Sequence, residues 1–374
     1  MTHRIVVLGA GYAGLAAANR IAGRARHAQV TLVNARAQFV ERVRLHQVAA
    51  GQRVREYPLR ERLRGTGVQL VIGQVRALDL DRRQVRLDSA TGAATGADTV
   101  VAYDTLVYAL GSAAETTHVP GVMEHALSVA DLDSARELGK RVPDLAAERG
   151  VLAVVGGGLT GIETATELAE TYPQLRVRLV TAGQPGGWLS ARGRAHLRRV
   201  FDRLGIEVWP GATVTKVGPD GVVLADGATI GAGLTVWATG FAVAALARQA
   251  GLAVDGNGRI LVDETLRSRS HREIYAVGDS AAAHRANGQL LRMSCATGLP
   301  TGQCAAAAIT ARLAGHEPRP LRFRYLIQCI SLGRRDGLIQ FVRPDDSPHE
   351  RVLTGRAAAR AKELVVRGAL LATR

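Results

Sequence analysis

A glycine-rich turn that leads from an apolar strand into a helix occurs twice in this chain, at a constant offset of 147 residues. Gly9-Ala10-Gly11-Tyr12-Ala13-Gly14 follows Ile5-Val6-Val7-Leu8, and Gly156-Gly157-Gly158-Leu159-Thr160-Gly161 follows Val151-Leu152-Ala153-Val154-Val155. Both copies read G-x-G-x-x-G and run into alanine-containing helices. The first glycine permits the tight turn, the second lets backbone N–H groups approach a pyrophosphate, and the third lets helix and strand pack closely. The helix N-terminus adds partial positive charge for the phosphates. One copy is weak evidence. Two copies, each preceded by a strand and followed by a helix, predict one chain holding two dinucleotides.

The rest of the chain repeats the same plan. Val30–Val33 reads as the second parallel strand of the first unit and Val177–Val180 as its counterpart. Residues 68–110 alternate apolar and polar positions around turn signals, which predicts an antiparallel meander through Val75 that returns to the first sheet. In the second unit a helix is expected at Ala195–Leu204, with strands near Glu207-Val208, Val222–Leu224 and Thr235–Gly240. Near residue 255 the chain is expected back in the first unit, where Ile274–Asp279 is a short buried strand ending in Gly-Asp. Strands at Leu326–Ser331 and Leu338–Val342 and a helix at Ala357–Val366 complete a third region. The predicted class is α/β: two Rossmann-like dinucleotide-binding domains, the second inserted in the first, plus a small C-terminal α+β region. The expected boundaries are 1–112 with 255–317 for the first domain, 113–254 for the second, and 318–374 for the C-terminal interface region.

A length of 374 residues accommodates this plan. Hydrophobic residues make up 47% and no apolar run approaches the roughly 18 residues of a membrane span, so membrane association is expected to be absent or peripheral. The first strand begins almost at Met1 and leaves no room for a signal peptide, so a cytoplasmic location is expected. The net charge of +15 comes almost wholly from arginine, with lysine only at 140, 216 and 362. These arginines are scattered, with no basic run interleaved with aromatics, so nucleic acid is not an expected partner. The charge favours anions such as phosphorylated cofactors. Cys295, Cys304 and Cys329 form no C-x-x-C, which predicts a reduced protein without disulfides, and no metal site is expected.

Two dinucleotides in a chain of this length imply FAD with NAD(P)H. The ordered set Gly9–Gly14, Gly156–Gly161, Trp237-Ala238-Thr239-Gly240 and Gly278-Asp279 resembles the two-dinucleotide-binding flavoproteins of glutathione-reductase-like fold, over roughly residues 3–342. Within that superfamily, His46-Gln47-Val48-Ala49-Ala50-Gly51 and Gly156–Gly161 continued by Ile162-Glu163 resemble segments of type II NADH dehydrogenases, in the pyridine nucleotide-disulfide oxidoreductase family. The resemblance implies that Asp279 binds the ribityl chain of FAD. It places Gly111 at the domain crossover and Gly278 and Thr301 beside the flavin. Pro300-Thr301 reads as the start of a helix whose dipole steadies negative charge on the reduced flavin. Ala13, Arg42, Gln47, Val75 and Gly240 are expected cofactor contacts, and Glu163 is expected to reach toward the nicotinamide. His46 is a candidate proton donor near neutral pH.

Several positions depart from that pattern. Where a carboxylate ordinarily binds the adenosine ribose, 25 residues past each first glycine, the chain has Asn34 and Thr181. Asn34 still donates and accepts, with Arg36 nearby for the adenosine. Thr181 removes repulsion toward a 2′-phosphate, and Arg192 and Arg194 follow, which favours NADPH slightly over NADH. The quinone signature A-Q-x-A-x-Q appears as Gly302-Gln303-Cys304-Ala305-Ala306-Ala307, losing its second glutamine, so quinone reduction is not clearly signalled. No cysteine pair stands where disulfide reductases or sulfide–quinone reductases place theirs. The expected activity passes hydride from nicotinamide C4 to flavin N5 and then electrons to a small-molecule acceptor: a quinone, oxygen, an electron carrier or a biosynthetic intermediate. The alternative is a redox-sensing interaction protein resembling apoptosis-inducing factor. The C-terminal helix, with Arg356, Arg360, Lys362 and Arg367, is expected to make packing or homodimer contacts.

Overall fold

Residues 2–88 and 99–374 are described by a computed structural model. The chain begins with β1 (His3–Leu8), α1 (Tyr12–Arg24), β2 (Ala28–Asn34), the short helix α2 (Leu45–Ala49) and β3 (Gln69–Ile72). A meander of β4 (Val75–Asp79), β5 (Gln84–Leu87) and β6 (Thr99–Ala102) leads into β7 (Thr105–Tyr108). The second run comprises β8 (Ala126–Ser128), α3 (Leu132–Ala147), β9 (Val151–Val155), α4 (Leu159–Thr171), β10 (Arg176–Thr181), α5 (Ala191–Leu204) and β11 (Glu207–Pro210). It closes with β12 (Val214–Gly218), β13 (Gly221–Leu224), β14 (Thr229–Gly231) and β15 (Leu234–Trp237). After β16 (Ile274–Ala276) and the long helix α6 (Cys295–Leu313), the chain ends in β17 (Ile327–Ser331), β18 (Gly337–Val342), β19 (Pro348–Thr354) and α7 (Gly355–Leu371).

Two five-stranded parallel sheets form the frame, ordered β16-β7-β1-β2-β3 and β8-β15-β9-β10-β11. Their central strands are nearly continuous apolar runs, because helices cover both faces of a parallel sheet. Ile5–Leu8 and Leu152–Val154 are accordingly buried end to end. Strand β16 completes the first sheet only after the chain has traversed the second, so the second unit is inserted into the first. The meander expected over 68–110 is divided: β3 joins the parallel sheet, and only β4-β5-β6 are antiparallel.

Helix α1 packs along α6, an approach close enough that a Cβ on Gly302 would meet the Ala13 carbonyl oxygen at 2.3 Å. Helix α6 starts at Cys295, more than a turn before the expected Pro300. Pro300 lies inside it at the sixth position, close enough to the start that losing one N–H bond does not break the helix. Thr297 ties this first turn down, its hydroxyl donating to the Arg292 and Ser294 carbonyls.

The C-terminal region is an antiparallel sheet, β17-β18-β19, backed by α7. Strand β19 was not among the expected elements, and α7 extends past the expected helix at both ends. Ile330, Leu332 and Leu338 join the apolar core of the second unit, and so do Leu45 and Ala49 of α2. Helix α2 therefore belongs to the seam between the units. No helix among the described residues is long and apolar enough to cross a membrane.

Candidate functional site

The two glycine turns are built alike, atom for atom. A Cβ on Gly14 would lie 1.9 Å from the Gly9 carbonyl oxygen, and one on Gly161 would lie 1.8 Å from that of Gly156. These third glycines let the helix start directly against the strand end. Gly9 and Gly156 have φ of +94° and +124°, and a Cβ there would strike the Ala109 and Ala238 carbonyls of the neighbouring strands. The middle glycines differ: around Gly11 and Gly158 a Cβ would meet nothing within 4 Å. Each therefore opens onto free space at a helix N-terminus.

The helix caps carry the same message. Asp131 and Ser190 cap α3 and α5 with side-chain oxygens that accept from Ser134 and Gly193 N–H groups. Helices α1 and α4 have glycine N-caps, no side-chain cap and no acidic residue in the first turn. Their terminal N–H groups and positive dipole ends are left for an external anion. Both cradles thus fit the pyrophosphate of a dinucleotide.

Around the first cradle, several expected contacts converge. Asp279 accepts a hydrogen bond from Ser112 Oγ at 2.7 Å and lies 3.9 Å from an Arg42 guanidinium nitrogen. Ser280 Oγ donates to the Gly111 carbonyl at 3.1 Å. Buried Thr301 accepts from the Gly278 N–H at 3.0 Å and donates to the Thr297 and Gly298 carbonyls, pinning the Gly-Asp turn to α6. Gly111, Ser112, Gly278, Asp279 and Thr301 thus meet at the end of β7 and β16. Ser112, which was not among the expected site residues, is the partner that holds Asp279.

Other candidates are occupied by the protein itself. Asn34 Oδ1 accepts from Ala10 N–H at 2.9 Å and its Nδ2 donates to the Arg36 carbonyl, so this side chain braces the glycine turn. Arg36 pairs with Asp133 in the first turn of α3. Thr181 sits beneath the second turn, where a Cβ on Gly157 would meet its Oγ1 at 2.5 Å. Arg194 turns back onto the Leu189 carbonyl, while Glu350 accepts from the Ala191 and Arg192 N–H groups. Val75 is buried in the first core, and Gly240 lies beside Glu115.

His46, Gln47 and Glu163 form part of a buried polar cluster at the seam. Glu163 accepts from Ser331 N–H at 2.9 Å and forms an ion pair with Lys362. Glu167, one turn further along α4, accepts from Gln52 and lies 3.7 Å from Arg334. Arg44 forms a two-pronged contact with Glu363 at 2.6 and 3.0 Å, and also contacts Gln47. His46 lies between the two carboxylates of α4, Nδ1 3.9 Å from Glu163 and Nε2 3.7 Å from Glu167. His46 Nε2 and Glu167 Oε2 are both buried without a hydrogen-bond partner among the described residues.

Burial, reinforced by Lys362, Arg334 and Arg44, holds the His46 imidazole well below its ordinary range. A proton donor active near neutrality was the expectation; here the ring is neutral. Burial raises the Glu167 carboxyl. It also pushes the Cys304 and Cys329 thiols up to about 11, away from the reactive thiolate.

Beside the cluster is a cavity of about 20 Å³, lined by Gln47, Ser331, Arg334, Lys362 and Glu363, which has room for one water. Glu167, Arg334 and Lys362 were missed as site residues. The spacing of Glu163 and Glu167, four residues apart on one helix face, is the sequence signal that was available.

A family model described as pyridine nucleotide-disulphide oxidoreductase matches residues 3–307. An NADH dehydrogenase-like protein of Mycobacterium tuberculosis is 32% identical over 354 residues, covering 88% of this chain and 86% of its own length. The demethylphylloquinone reductase of Synechocystis is 27% identical over 352 residues, covering 90% and 86%. Among solved structures, NDH2 of Plasmodium falciparum in complex with NADH is similar in fold, with a TM-score of 0.84 at 15% identity over 98% of this chain and 94% of that one.

Proposed function

The chain belongs to the pyridine nucleotide-disulphide oxidoreductase family, and from that premise we propose that it is an FAD-dependent NAD(P)H oxidoreductase whose acceptor is a quinone. The observation that carries the reading is the pair of matched cradles, each with an uncapped helix N-terminus and open space at its middle glycine. The first, joined by Asp279, Ser112 and Thr301, would hold FAD; the second would hold the nicotinamide dinucleotide. FAD, when bound, supplies an isoalloxazine that takes hydride from the nicotinamide and returns electrons to the acceptor.

The protein's part is orientation and charge. Asp279 offers one carboxylate oxygen to Ser112 and keeps acceptor capacity for a ribityl hydroxyl. Quinone reduction consumes protons, and the Glu163–Lys362 pair is a buried place to hold one. The cavity beside Lys362 would admit the water that renews it. The quinone is supported by the named activity of the Synechocystis relative. It stands despite the lost second glutamine of the expected quinone signature. NADPH use is the finer part of the proposal: Thr181 puts no carboxylate at the ribose position, and Arg192 in the first turn of α5 is exposed.

Anaerobic stopped-flow with FAD-loaded protein tests the reading directly. NADH or NADPH should bleach the flavin, and a water-soluble quinone should restore it over many cycles. A flavin that is reduced once and never reoxidised by quinone would replace this reading with that of a redox-sensing protein.

A further inference from the structure

The first nucleotide cradle lies at the carboxyl ends of the first sheet's strands, and a separate cleft lies at their amino ends. It has a volume of about 290 Å³ and is bordered by His3 at the start of β1, Thr105 at the start of β7 and Glu273 just before β16. The six residues of β1 separate it from the Gly9 turn, about 20 Å at some 3.3 Å per residue. Four arginines line it: Arg83, Arg267, Arg272 and Arg312. None of the four makes an ion pair with a carboxylate among the described residues.

Two of these guanidinium groups are fixed by neutral acceptors. Arg312 donates to the Tyr275 hydroxyl at 2.7 Å and to Thr265 Oγ1 at 3.0 Å, and its guanidinium carbon lies 5.7 Å from the Tyr275 ring centroid. Arg267 donates through Nε to the Arg272 carbonyl. Both are therefore oriented without being neutralised. Arg83 holds a left-handed backbone conformation, φ +54°, at the turn between β4 and β5, and presents its side chain at the rim. Of the two carboxylates that line the cleft, Asp104 is committed to Arg4, at 2.8 and 3.2 Å, and Glu273 alone has no ion-pair partner. The cleft keeps a positive excess over an apolar wall of Ile309 and Leu313.

We propose that this cleft binds a small diphosphate-bearing anion at a site distinct from both dinucleotide cradles. Planar guanidinium forks match phosphoryl oxygens in pairs, and a dianion or trianion gains more than a monocarboxylate from several of them. The concavity, near the lower end of small-molecule sites, separates it from an exposed arginine patch.

Titration calorimetry on FAD-loaded protein saturated with NAD+ keeps both cradles filled while inorganic pyrophosphate and inorganic phosphate are titrated in turn. One binding event per chain is expected, with pyrophosphate tighter than phosphate. Arg83→Glu and Arg272→Glu, both on exposed residues without side-chain ion pairs, should each weaken pyrophosphate binding at least ten-fold and leave flavin content and Tm unchanged. Arg141→Glu, an equal charge reversal on the exposed face of α3, should leave binding within two-fold of wild type. Phosphate binding tighter than pyrophosphate would reduce the ligand to free phosphate and overturn the diphosphate reading. No binding at millimolar pyrophosphate, or equal losses in all three variants, would overturn the site.

Discussion

Asp279, Gly11 and Gly14 act at the scale of single atoms, and their predicted effects separate cleanly. Asp279→Ala removes a charge-assisted hydrogen bond, worth about 1.5–3 kcal/mol, so purified protein should retain at least ten-fold less flavin, read from absorbance per chain. Gly11→Ala should fold normally, because its Cβ meets no protein atom, yet lose flavin because that space is the phosphate's. Gly14→Ala should instead lower Tm, since its Cβ would lie 1.9 Å from the Gly9 carbonyl oxygen. At the seam, Glu163→Gln leaves the Lys362 ammonium buried without its counter-charge, a change that typically costs about 3–5 kcal/mol. The double variant Glu163→Gln/Lys362→Met should recover most of that stability in urea unfolding while quinone turnover stays low. If the double variant turns over quinone normally, the pair is structural. Asn34 shows what residue type alone left out: one lone pair of its amide oxygen and one of its amide N–H groups brace the turn beneath, and one of each is left for a ribose.

Among the elements, α4 is where packing and binding can be told apart. Its N-cap, Gly158, has open space beside it, so Gly158→Val should leave the fold and the flavin intact. The same variant should abolish flavin reduction by NADH and NADPH, because a branched side chain would fill the pyrophosphate position. Reduction at the wild-type rate would make the second turn purely structural. Helix α5 follows the opposite logic, and Ser190→Ala should cost about 1 kcal/mol of stability through its lost cap without touching cofactor reduction. The elements with strong local signals were legible: both glycine-turn helices, β2 and β10, and the closing strand β15. The start of α6 was not, because proline usually marks a helix beginning, whereas the turn before it is tied down by Thr297. Strand β19 was missed for a related reason. It lies on a solvent-facing edge, and its polar sequence has no marked alternation to separate it from a loop.

For the whole molecule, cofactor choice and pH response depend on groups brought together from distant parts of the chain. NADPH should show the higher kcat/KM, and Arg192→Ala should reduce that advantage by roughly ten-fold if the guanidinium reads the 2′-phosphate. Arg194→Ala should matter less, since its guanidinium is held by Leu189. Equal efficiencies, unchanged by Arg192→Ala, would show that the phosphate is not read there. The pH response follows from His46 and Glu167. His46 is lowered in the fold, so its stabilising share is complete above the unfolded value of 6.5 and is lost as pH falls. Glu167 is raised, so its share is present at low pH and is lost as pH rises through its folded value. Between the unfolded values of 4.5 and 6.5 the two slopes oppose each other, so Glu167 offsets part of the stability that His46 loses as the pH falls. Glu167→Gln should uncover the histidine, with stability falling as pH drops below 6.5 at up to about 1.4 kcal/mol per unit. Parallel pH profiles for the two proteins would show that Glu167 adds no slope of its own, and a Glu167→Gln profile without the fall below 6.5 would show that His46 titrates normally.

The sequence by itself determined the two dinucleotide turns, the parallel sheets that carry them, and the insertion of one unit in the other. Each turn is written within about a dozen consecutive residues, where strand, glycine spacing and helix start reinforce one another. Only the tertiary structure decided what the polar side chains do. Ser112 and Asp279 are 167 residues apart, and Glu163 and Lys362 are 199 apart. Such pairs leave no periodic or local trace: the first forms where β7 and β16 end side by side, and the second where α4 and α7 close over the seam with α2. The same closure neutralises His46, a residue whose type alone promised a proton near neutrality. Burial and neighbouring charge set that proton's affinity, and both belong to the packed chain.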